Sequence, residues 1–281
     1  MNQKSNSHQI KVNRLDLIVG LPPLQLNEIY NDDSFKLIER VPDKTVDLIL
    51  EDMPYNTTAC DWDVKIDLEL YWETRLRILK PTGVICLTAS EPFTSELLLS
   101  NKKLFRYDLV WEKSMPSDIF RAKYKPLKYH ENILIFASGG YTFNPILQER
   151  SDVGKARLRR NGKVKMGTGK SNVTNYQHSG IKIQYDENKI NPKSVIKIKS
   201  VPNCNGTKLH SSQKPVGLFE YLIRTYTNED DLVFDGFGGS GTTAIAAHKS
   251  KRNFIVIEKE QKYYELSKKR LDNERAQLTL L

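Results

Sequence analysis

Cysteine is scarce in this chain, and long apolar runs are absent. The three cysteines, Cys60, Cys86 and Cys204, stand far apart in the 281 residues, without a CxxC pair or a histidine at ligand spacing. This spacing argues against a disulfide framework and against a structural zinc site. No apolar run approaches the length of a membrane span, and the N-terminal segment is polar. The sequence therefore predicts neither a transmembrane helix nor a signal peptide, and we expect a cytoplasmic protein without a bound metal.

Positive charge is concentrated in one segment. The whole chain carries a formal net charge of +9. Residues 151–214 contain 14 Lys or Arg against 3 Asp or Glu, a net of +11, which leaves −2 for the rest. The same segment has few large apolar residues, so it reads either as a solvated, partly disordered insert or as an element that binds a polyanion such as nucleic acid.

The flanking stretches alternate between short apolar runs and helical patterns. Such continuous apolar runs are expected where both faces of a parallel sheet are covered, and together with the helices they predict a doubly wound, mostly parallel α/β fold. In this fold, ligands bind at the carboxyl ends of the strands. The predicted strands are 46–51, 84–89, 107–111, 132–137, 232–235 and 254–258.

One predicted strand ends in an acid and a glycine-rich turn, Asp235-Gly236-Phe237-Gly238-Gly239-Ser240-Gly241, before a helix that begins at about Thr242. Glycines allow a tight turn and a close approach of backbone to ligand, while the helix N-terminus presents free N–H groups. Glu258 ends the next strand, about 20 residues after the turn, where a carboxylate can accept bonds from both ribose hydroxyls. With no GK[ST] sequence, the pattern indicates a nucleoside ligand without a phosphate chain.

A second strand end carries Asp52-Met53-Pro54-Tyr55. Pro54 fixes its own φ and biases Met53 towards an extended conformation, which holds the Asp52 carboxylate and the Met53 carbonyl in a fixed relation. Two such acceptors suit the exocyclic amine of adenine or cytosine, whose lone pair is delocalised into the ring. An aromatic ring such as Tyr55 can hold a base that has left the helix stack.

Taken together, the two motifs resemble those of the β-class amino-group DNA methyltransferases. DMPY resembles that family's [DNS]PP[YFW] motif, and DGFGGSGTT resembles its DPFxGSGTT; Met53 and Gly236 depart from the family's prolines. Gln213-Lys214-Pro215 resembles a short QKP motif, and Asp33 matches an acid before the catalytic strand. The resemblance covers about residues 29–145 and 208–272, and it fails over the basic segment.

The resemblance implies an S-adenosylmethionine-dependent methyltransferase fold in circularly permuted motif order, with the catalytic motif ahead of the cofactor motif. It implies catalytic roles for Asp52, Met53, Pro54 and Tyr55, and transfer to the N6 amine of a flipped adenine. Cytosine-N4 transfer, an inactive DNA-binding homologue, and an RNA or protein methyltransferase remain alternatives. The implied cofactor-binding residues are Asp33, Lys214, Asp235, Phe237, Gly239, Gly241, Thr242 and Glu258.

The resemblance also assigns the basic segment to target recognition, with double-stranded DNA as partner. A homodimer and a cognate restriction endonuclease are further partners that it leaves open. The expected organisation is an N-terminal extension (1–28), a catalytic half (29–145), a basic insert (146–207) and a cofactor-binding half (208–281). The expected DNA contacts are Arg121, Lys123, Lys125, Arg157, Arg159, Arg160, Lys163 and Lys165.

Overall fold

The computed structural model describes residues 22–55, 65–117, 119–161, 188–202 and 213–279. These residues form two compact units: the second lies within residues 144–194, and the first comprises the described residues on either side of it. Residues 195–202, expected to be part of the basic insert, belong to the first unit. No helix within the described ranges is long and apolar enough to cross a membrane.

The elements follow one another in a largely alternating order. They are β1 (Glu28–Asn31), α1 (Ser34–Leu37), β2 (Val46–Glu51), α2 (Leu68–Ile78), β3 (Leu79–Ala89), α3 (Phe93–Ser100), β4 (Phe105–Ser117), β5 (Lys128–Phe136), β6 (Gln148–Glu149), α4 (Asp152–Asn161), β7 (Lys189–Ile190), β8 (Val195–Lys197), α5 (Val216–Tyr226), β9 (Leu232–Asp235), α6 (Thr242–Lys249), β10 (Asn253–Glu258) and α7 (Gln261–Thr279). Short 3₁₀ turns occur at Ile38–Arg40 and Ile119–Arg121.

The first unit is built on an eight-stranded sheet in the order β1-β10-β9-β2-β3-β5-β4-β8. Five neighbouring pairs are parallel, and only β5 runs against its neighbours β3 and β4. Strand β3 lies next to β2 on one side. Strand β9, which follows α5 in the chain, lies next to β2 on the other side. The carboxyl ends of β2 and β9 therefore flank the switch point, where a doubly wound sheet forms its ligand crevice.

The core lies on both faces of this sheet, which explains the continuous apolar runs of the central strands. Along β2, Leu48 and Leu50 pack into the cluster on one face, and Ile49 packs into the cluster on the other. The residues of β10 alternate in the same way. Burying both faces leaves little place for polar residues inside these strands, so the acids Asp52, Asp235 and Glu258 mark the points where the chain leaves the core.

Two helices, α2 and α5, begin next to the crevice. Asp67 caps α2 by accepting from the backbone N–H groups of Glu69 (3.0 Å) and Leu70 (3.2 Å). Pro215 precedes α5, which buries an apolar stripe against the sheet, as the sequence predicts. Because α5 begins directly after Pro215, its start fixes where the preceding Lys214 enters the core.

The second unit contains the short strands β6 and β7 and the helix α4. Its strands β6 and β7 pair antiparallel, with Gln148 opposite Ile190. The Arg150 backbone N–H donates to the Asn188 carbonyl (2.6 Å), and the Arg150 side chain donates to the Lys189 carbonyl (2.9 Å). Helix α4 follows β6 and carries three of the predicted arginines.

Candidate active site

A cleft of about 650 Å³ opens at the carboxyl ends of β2, β9 and β10. Both sequence motifs contribute to its wall, although they lie more than 180 residues apart in the chain. Of the predicted residues, those that line it are Asp33, Asp52, Pro54, Lys214, Asp235, Phe237, Gly239, Thr242 and Glu258.

The glycine-rich turn after β9 is held by its own acid. Asp235 Oδ1 accepts from the Phe237 backbone N–H (2.8 Å), and Oδ2 accepts from the Thr243 hydroxyl. Burial, reinforced by the nearby Glu51 charge, raises the pKa of Asp235 to about 8. The acid thus joins the strand end to the first turn of α6, and its carboxyl group sits at the floor of the cleft.

Two glycines of this turn adopt left-handed conformations, with φ of +51° at Gly239 and +76° at Gly241. A Cβ on Gly241 would lie 2.7 Å from the Ser267 Cβ of α7. Other residues would be strained at these φ values, and a side chain on Gly241 would push α7 away. Gly241 therefore supports the turn from behind and does not itself line the cleft.

Glu258, the last residue of β10, lines the cleft beside the glycine-rich turn. Its Oε2 accepts from the Gly239 backbone N–H (2.6 Å) and its Oε1 from the Glu260 backbone N–H (2.7 Å). Burial raises the pKa of this carboxyl group above its ordinary value. The Lys259 backbone N–H is a third donor. An ionised carboxylate offers about four acceptor positions, so Glu258 can still accept a hydroxyl donor from a ligand in the cleft.

Asp52 accepts hydrogen bonds from three side chains. Its Oδ1 accepts from the Tyr55 hydroxyl (2.7 Å) and from the Thr88 hydroxyl, and its Oδ2 accepts from Lys214 Nζ (2.6 Å). An ionised carboxylate offers about four acceptor positions. Three are taken by these described residues, which leaves one on Oδ2 for a donor that enters the cleft.

The structure places Tyr55 beside the acid, outside the lining of the cleft. Its ring packs on Phe93 with centroids 5.4 Å apart, and burial together with the Asp52 charge raises the pKa of its hydroxyl well above the ordinary range. The neutral hydroxyl is therefore a firm donor to Asp52. Met53 is buried in the core. Stacking of Tyr55 on a base stays a prediction.

Lys214, predicted as a cofactor contact, is bonded to Asp52. Its ammonium also lies 3.3 Å from Glu131 Oε2, and Glu131 Oε1 lies 3.1 Å from Lys113 Nζ. Burial disfavours the charged form of Lys214, but the carboxylates of Asp52 and Glu131 outweigh it and hold its pKa well above the ordinary value. Glu131 is a site residue that sequence reasoning missed, because its contact with Lys214 joins distant parts of the chain.

Asp33 lines the cleft near its Glu258 end and caps α1. Its Oδ1 accepts from the Phe35 backbone N–H (2.9 Å), and its Oδ2 lies 3.1 Å from Lys259 Nζ. Across the parts of the chain that the structure describes, no group of three His, Cys, Asp or Glu side chains is arranged to hold a metal ion.

Comparison with known proteins identifies the family. A family model described as DNA methylase matches residues 46–269. The chain is 30% identical over 260 residues to the type II methyltransferase M1.MboII of Moraxella bovis, covering 85% of this chain and 94% of the relative. It is 26% identical over 275 residues to M.HinfI of Haemophilus influenzae, covering 88% and 68%. The chain belongs to the N6/N4 DNA methylase family.

Solved structures show the same fold for this methylase. The M1.HpyAVI complex with S-adenosylmethionine aligns with a TM-score of 0.57 at 24% identity, covering 87% of this chain and 99% of that one. The PvuII DNA methyltransferase, which is cytosine-N4-specific, aligns with a TM-score of 0.57 at 17% identity, covering 90% and 93%. The predicted doubly wound α/β methyltransferase fold is confirmed.

The methylase presents an exposed, basic connection between β4 and β5. It carries Arg121, Lys123 and Lys125, here called the hairpin cations, and Tyr124 between them is 88% exposed. At the base of this hairpin, Lys128 donates to the Ser90 hydroxyl just after β3. Lys113 on β4 pairs with Glu131 on β5. Glu131 in turn pairs with Lys214, which is bonded to Asp52. The strands on either side of the hairpin cations are thus tied by ion pairs to Asp52.

The remaining predicted DNA contacts belong to the second unit or lie outside the described residues. Arg157 is exposed on α4. Arg159 and Arg160 lie in the same helix, but their side chains are not among the described ones. Lys163 and Lys165 lie outside the described residues.

Proposed function

We propose that this DNA methylase transfers a methyl group from S-adenosylmethionine to the N6 amine of an adenine that is turned out of double-stranded DNA. The observation that carries the proposal is that Asp52, with an acceptor position left by its described partners, lines the same cleft as the glycine-rich turn and Glu258. One cleft thereby brings a nucleoside site and an amine acceptor together.

The residues at the turn fit S-adenosylmethionine. A cleft of about 650 Å³ is within the range of roughly 300–1,000 Å³ that small-molecule sites occupy. Glu258 accepts the ribose hydroxyls, Phe237 lines the site, and the turn at Gly239 leaves room for close approach of the ligand. Asp235 accepts from the ammonium of the methionine end. When bound, the cofactor supplies an electrophilic methyl group on a sulfonium.

At the other end of the cleft, Asp52 prepares the amine. The target N–H donates to Oδ2, while the Tyr55 and Thr88 hydroxyls and Lys214 hold the carboxylate in place. A fixed acceptor orients the amine, draws its nitrogen lone pair out of conjugation with the ring, and directs it at the methyl group. The nitrogen forms a bond to the methyl carbon as the carbon–sulfur bond breaks and the sulfur leaves as a neutral thioether. One amine proton is released to solvent, and no covalent enzyme intermediate is needed.

The choice of adenine is supported by the acid at position 52, because DMPY resembles the adenine-N6 form of the family motif more than the cytosine-N4 form. Cytosine-N4 transfer is the second candidate, and it is favoured by the likeness to the cytosine-N4-specific PvuII enzyme. An amino group next to a ring nitrogen is common to both bases, so Asp52 suits either of them.

DNA binding rests on the hairpin cations and on the basic segment that includes Arg157. Exposed arginine and lysine side chains contact phosphates, and arginine can also read guanine edges in the major groove. Such contacts release counterions, so affinity for DNA falls steeply with salt. A homodimer and a cognate restriction endonuclease belong to the proposal through the family resemblance alone.

The experiment is transfer of labelled methyl from S-adenosylmethionine to unmethylated duplex DNA, followed by digestion and nucleoside mass analysis. We expect N6-methyladenine from the wild type and none from Asp52→Ala. N4-methylcytosine as the product would show that cytosine is the target base, and the assignment of the site would stand. Cofactor binding without any methylated nucleoside would favour an inactive DNA-binding protein, or transfer to RNA.

A further inference from the structure

A fully buried ion pair lies beneath the glycine-rich turn. The Arg75 guanidinium of α2 and the Glu51 carboxylate at the end of β2 are both 0% exposed, with Nη2 and Oε1 3.2 Å apart. The Tyr71 hydroxyl donates to the other oxygen, Oε2, at 2.6 Å. A buried pair of this kind is costly to desolvate, and a hydrophobic replacement is often at least as stable. Its presence in the core therefore calls for a reason other than stability.

That reason is visible at Gly236, the position where the family motif has proline. The Gly236 backbone N–H donates to Glu51 Oε1 (2.9 Å), a bond that a proline could not make. A Cβ at Gly236 would lie 2.5 Å from Arg75 Nη2 and 2.8 Å from Glu51 Oε1. The ion pair therefore occupies the space that a side chain at position 236 would need.

Arg75 also supports the aromatic floor of the cleft. Its guanidinium lies 4.6 Å from the centroid of the Phe35 ring and 5.5 Å from that of Phe237. These two rings meet edge to face at 6.4 Å, and both line the cleft. A buried cation next to several rings fixes their position through cation–π attraction. Arg75 thus contacts the turn from below at its backbone and at its aromatic side chain.

We propose that Arg75 and Glu51 are positioning residues for the cofactor, and that they take over the restraint on the turn that proline supplies elsewhere in the family. The inference rests on the proposed function, because it treats the turn as the S-adenosylmethionine site. Its consequence is a dependence between positions: glycine at 236 is required because arginine is present at 75.

The test is a double-mutant cycle in the full-length protein, read by calorimetric titration with S-adenosylmethionine. The proteins are the wild type, Gly236→Ala, Arg75→Lys and the double variant. Lysine keeps a cation for Glu51 but lacks Nη2, the nearest atom that a new Cβ would meet. The contacts with Glu51 Oε1 (2.8 Å) and Ser34 Cβ (3.0 Å) remain. Gly217→Ala is the matched control, because a Cβ there would have no neighbour within 4 Å.

We expect Gly236→Ala to weaken cofactor binding by about tenfold or more in the wild-type background and by less than about threefold in the Arg75→Lys background. Arg75→Lys alone should raise the KM for the cofactor and leave the KM for DNA unchanged, a split that a merely structural role would not produce. Thermal melting confirms that each variant is folded.

Equal losses from Gly236→Ala in both backgrounds would overturn the inference, as would unchanged affinity in every variant. If Gly236→Ala fails to fold in the wild-type background, the melting transition becomes the measurement: the double variant with Arg75→Lys should recover it, and a double variant that also fails to fold would overturn the inference. Failure of the wild type itself to bind S-adenosylmethionine would instead overturn the proposed function, and the positioning role with it.

Discussion

Protonation of Asp235 should make cofactor affinity depend on pH. The pKa of this buried acid is raised to about 8, first by burial and then by the Glu51 charge, against the stabilising bonds from Thr243 and Phe237. At neutral pH the acid in the unliganded protein is therefore largely protonated. An ammonium group that binds to it favours the ionised form, so binding expels a proton.

The size of the effect follows from this pKa. Below it, the ionised fraction of Asp235 grows about tenfold per pH unit, so affinity should rise up to about a hundredfold between roughly pH 5.5 and 7.5. The ligand's own amino group, with an ordinary pKa of about 7.7–8.0, stays mostly protonated over that window. Stability of the unliganded protein should change in the opposite direction. Asp235 keeps its proton in the folded state, whereas in the unfolded chain it loses the proton above its ordinary pKa of 3.8. The stabilising contribution of protonated Asp235 to the free energy of unfolding is therefore fully present below about pH 4. It declines by up to about 1.4 kcal/mol per pH unit as the pH rises to about 8.

The assay is calorimetric titration with S-adenosylmethionine at several pH values in buffers of different ionisation enthalpy, which counts the protons released. Asp235→Asn is the matched control, since its amide cannot ionise, and its affinity should rise much less over the same window. Glu258, whose pKa is also raised by burial, contributes equally in both proteins and cancels in the comparison. Identical pH slopes for wild type and Asp235→Asn would refute the reasoning.

Three other substitutions test separate parts of the site. Lys214→Met should lower the transfer rate by about a hundredfold or more while changing cofactor affinity less than about threefold, because Lys214 is bonded to Asp52. Single-turnover rates and calorimetric titrations measure the two quantities. A large loss of affinity would show that Lys214 is a cofactor contact. Gly241→Ala should destabilise the protein by about 1–3 kcal/mol in thermal or denaturant unfolding, since its Cβ would meet Ser267; an unchanged unfolding free energy would show that α7 can move aside. Replacing all three hairpin cations with alanine should weaken DNA binding and reduce the slope of log K against log salt by about 2–3. An unchanged slope in fluorescence-anisotropy titrations would remove those cations from the DNA face.

The strand ends that form the site were predictable because central strands bury both faces. In β2, β9 and β10 the apolar run stops where the chain reaches the cleft, so Asp52, Asp235 and Glu258 stand out in the sequence. The helices next to these strand ends carry apolar stripes that the sequence shows. The glycines of the turn were predictable because two of them adopt positive φ values, which favour glycine.

The contacts that complete the site were not predictable, because they join distant parts of the chain. Lys214 lies 162 residues from Asp52, and Glu51 lies 24 residues from Arg75. A sequence pattern shows that an acid is near a strand end, but it does not show which cation the fold brings to it. Likewise, β1 is only four residues long, and the reversed direction of β5 leaves no mark on its residues.

Cofactor binding and amine activation should be separable within the one cleft, and Asp52→Ala tests this most directly. The measurement is the single-turnover rate of methyl transfer to unmethylated duplex DNA, at a cofactor concentration shown by titration to saturate the variant. We predict a rate at least about a thousandfold below that of the wild type, with the Kd for S-adenosylmethionine changed less than about threefold. A variant that keeps more than about a tenth of the wild-type rate would contradict the assignment of Asp52 as the acceptor of the target amine.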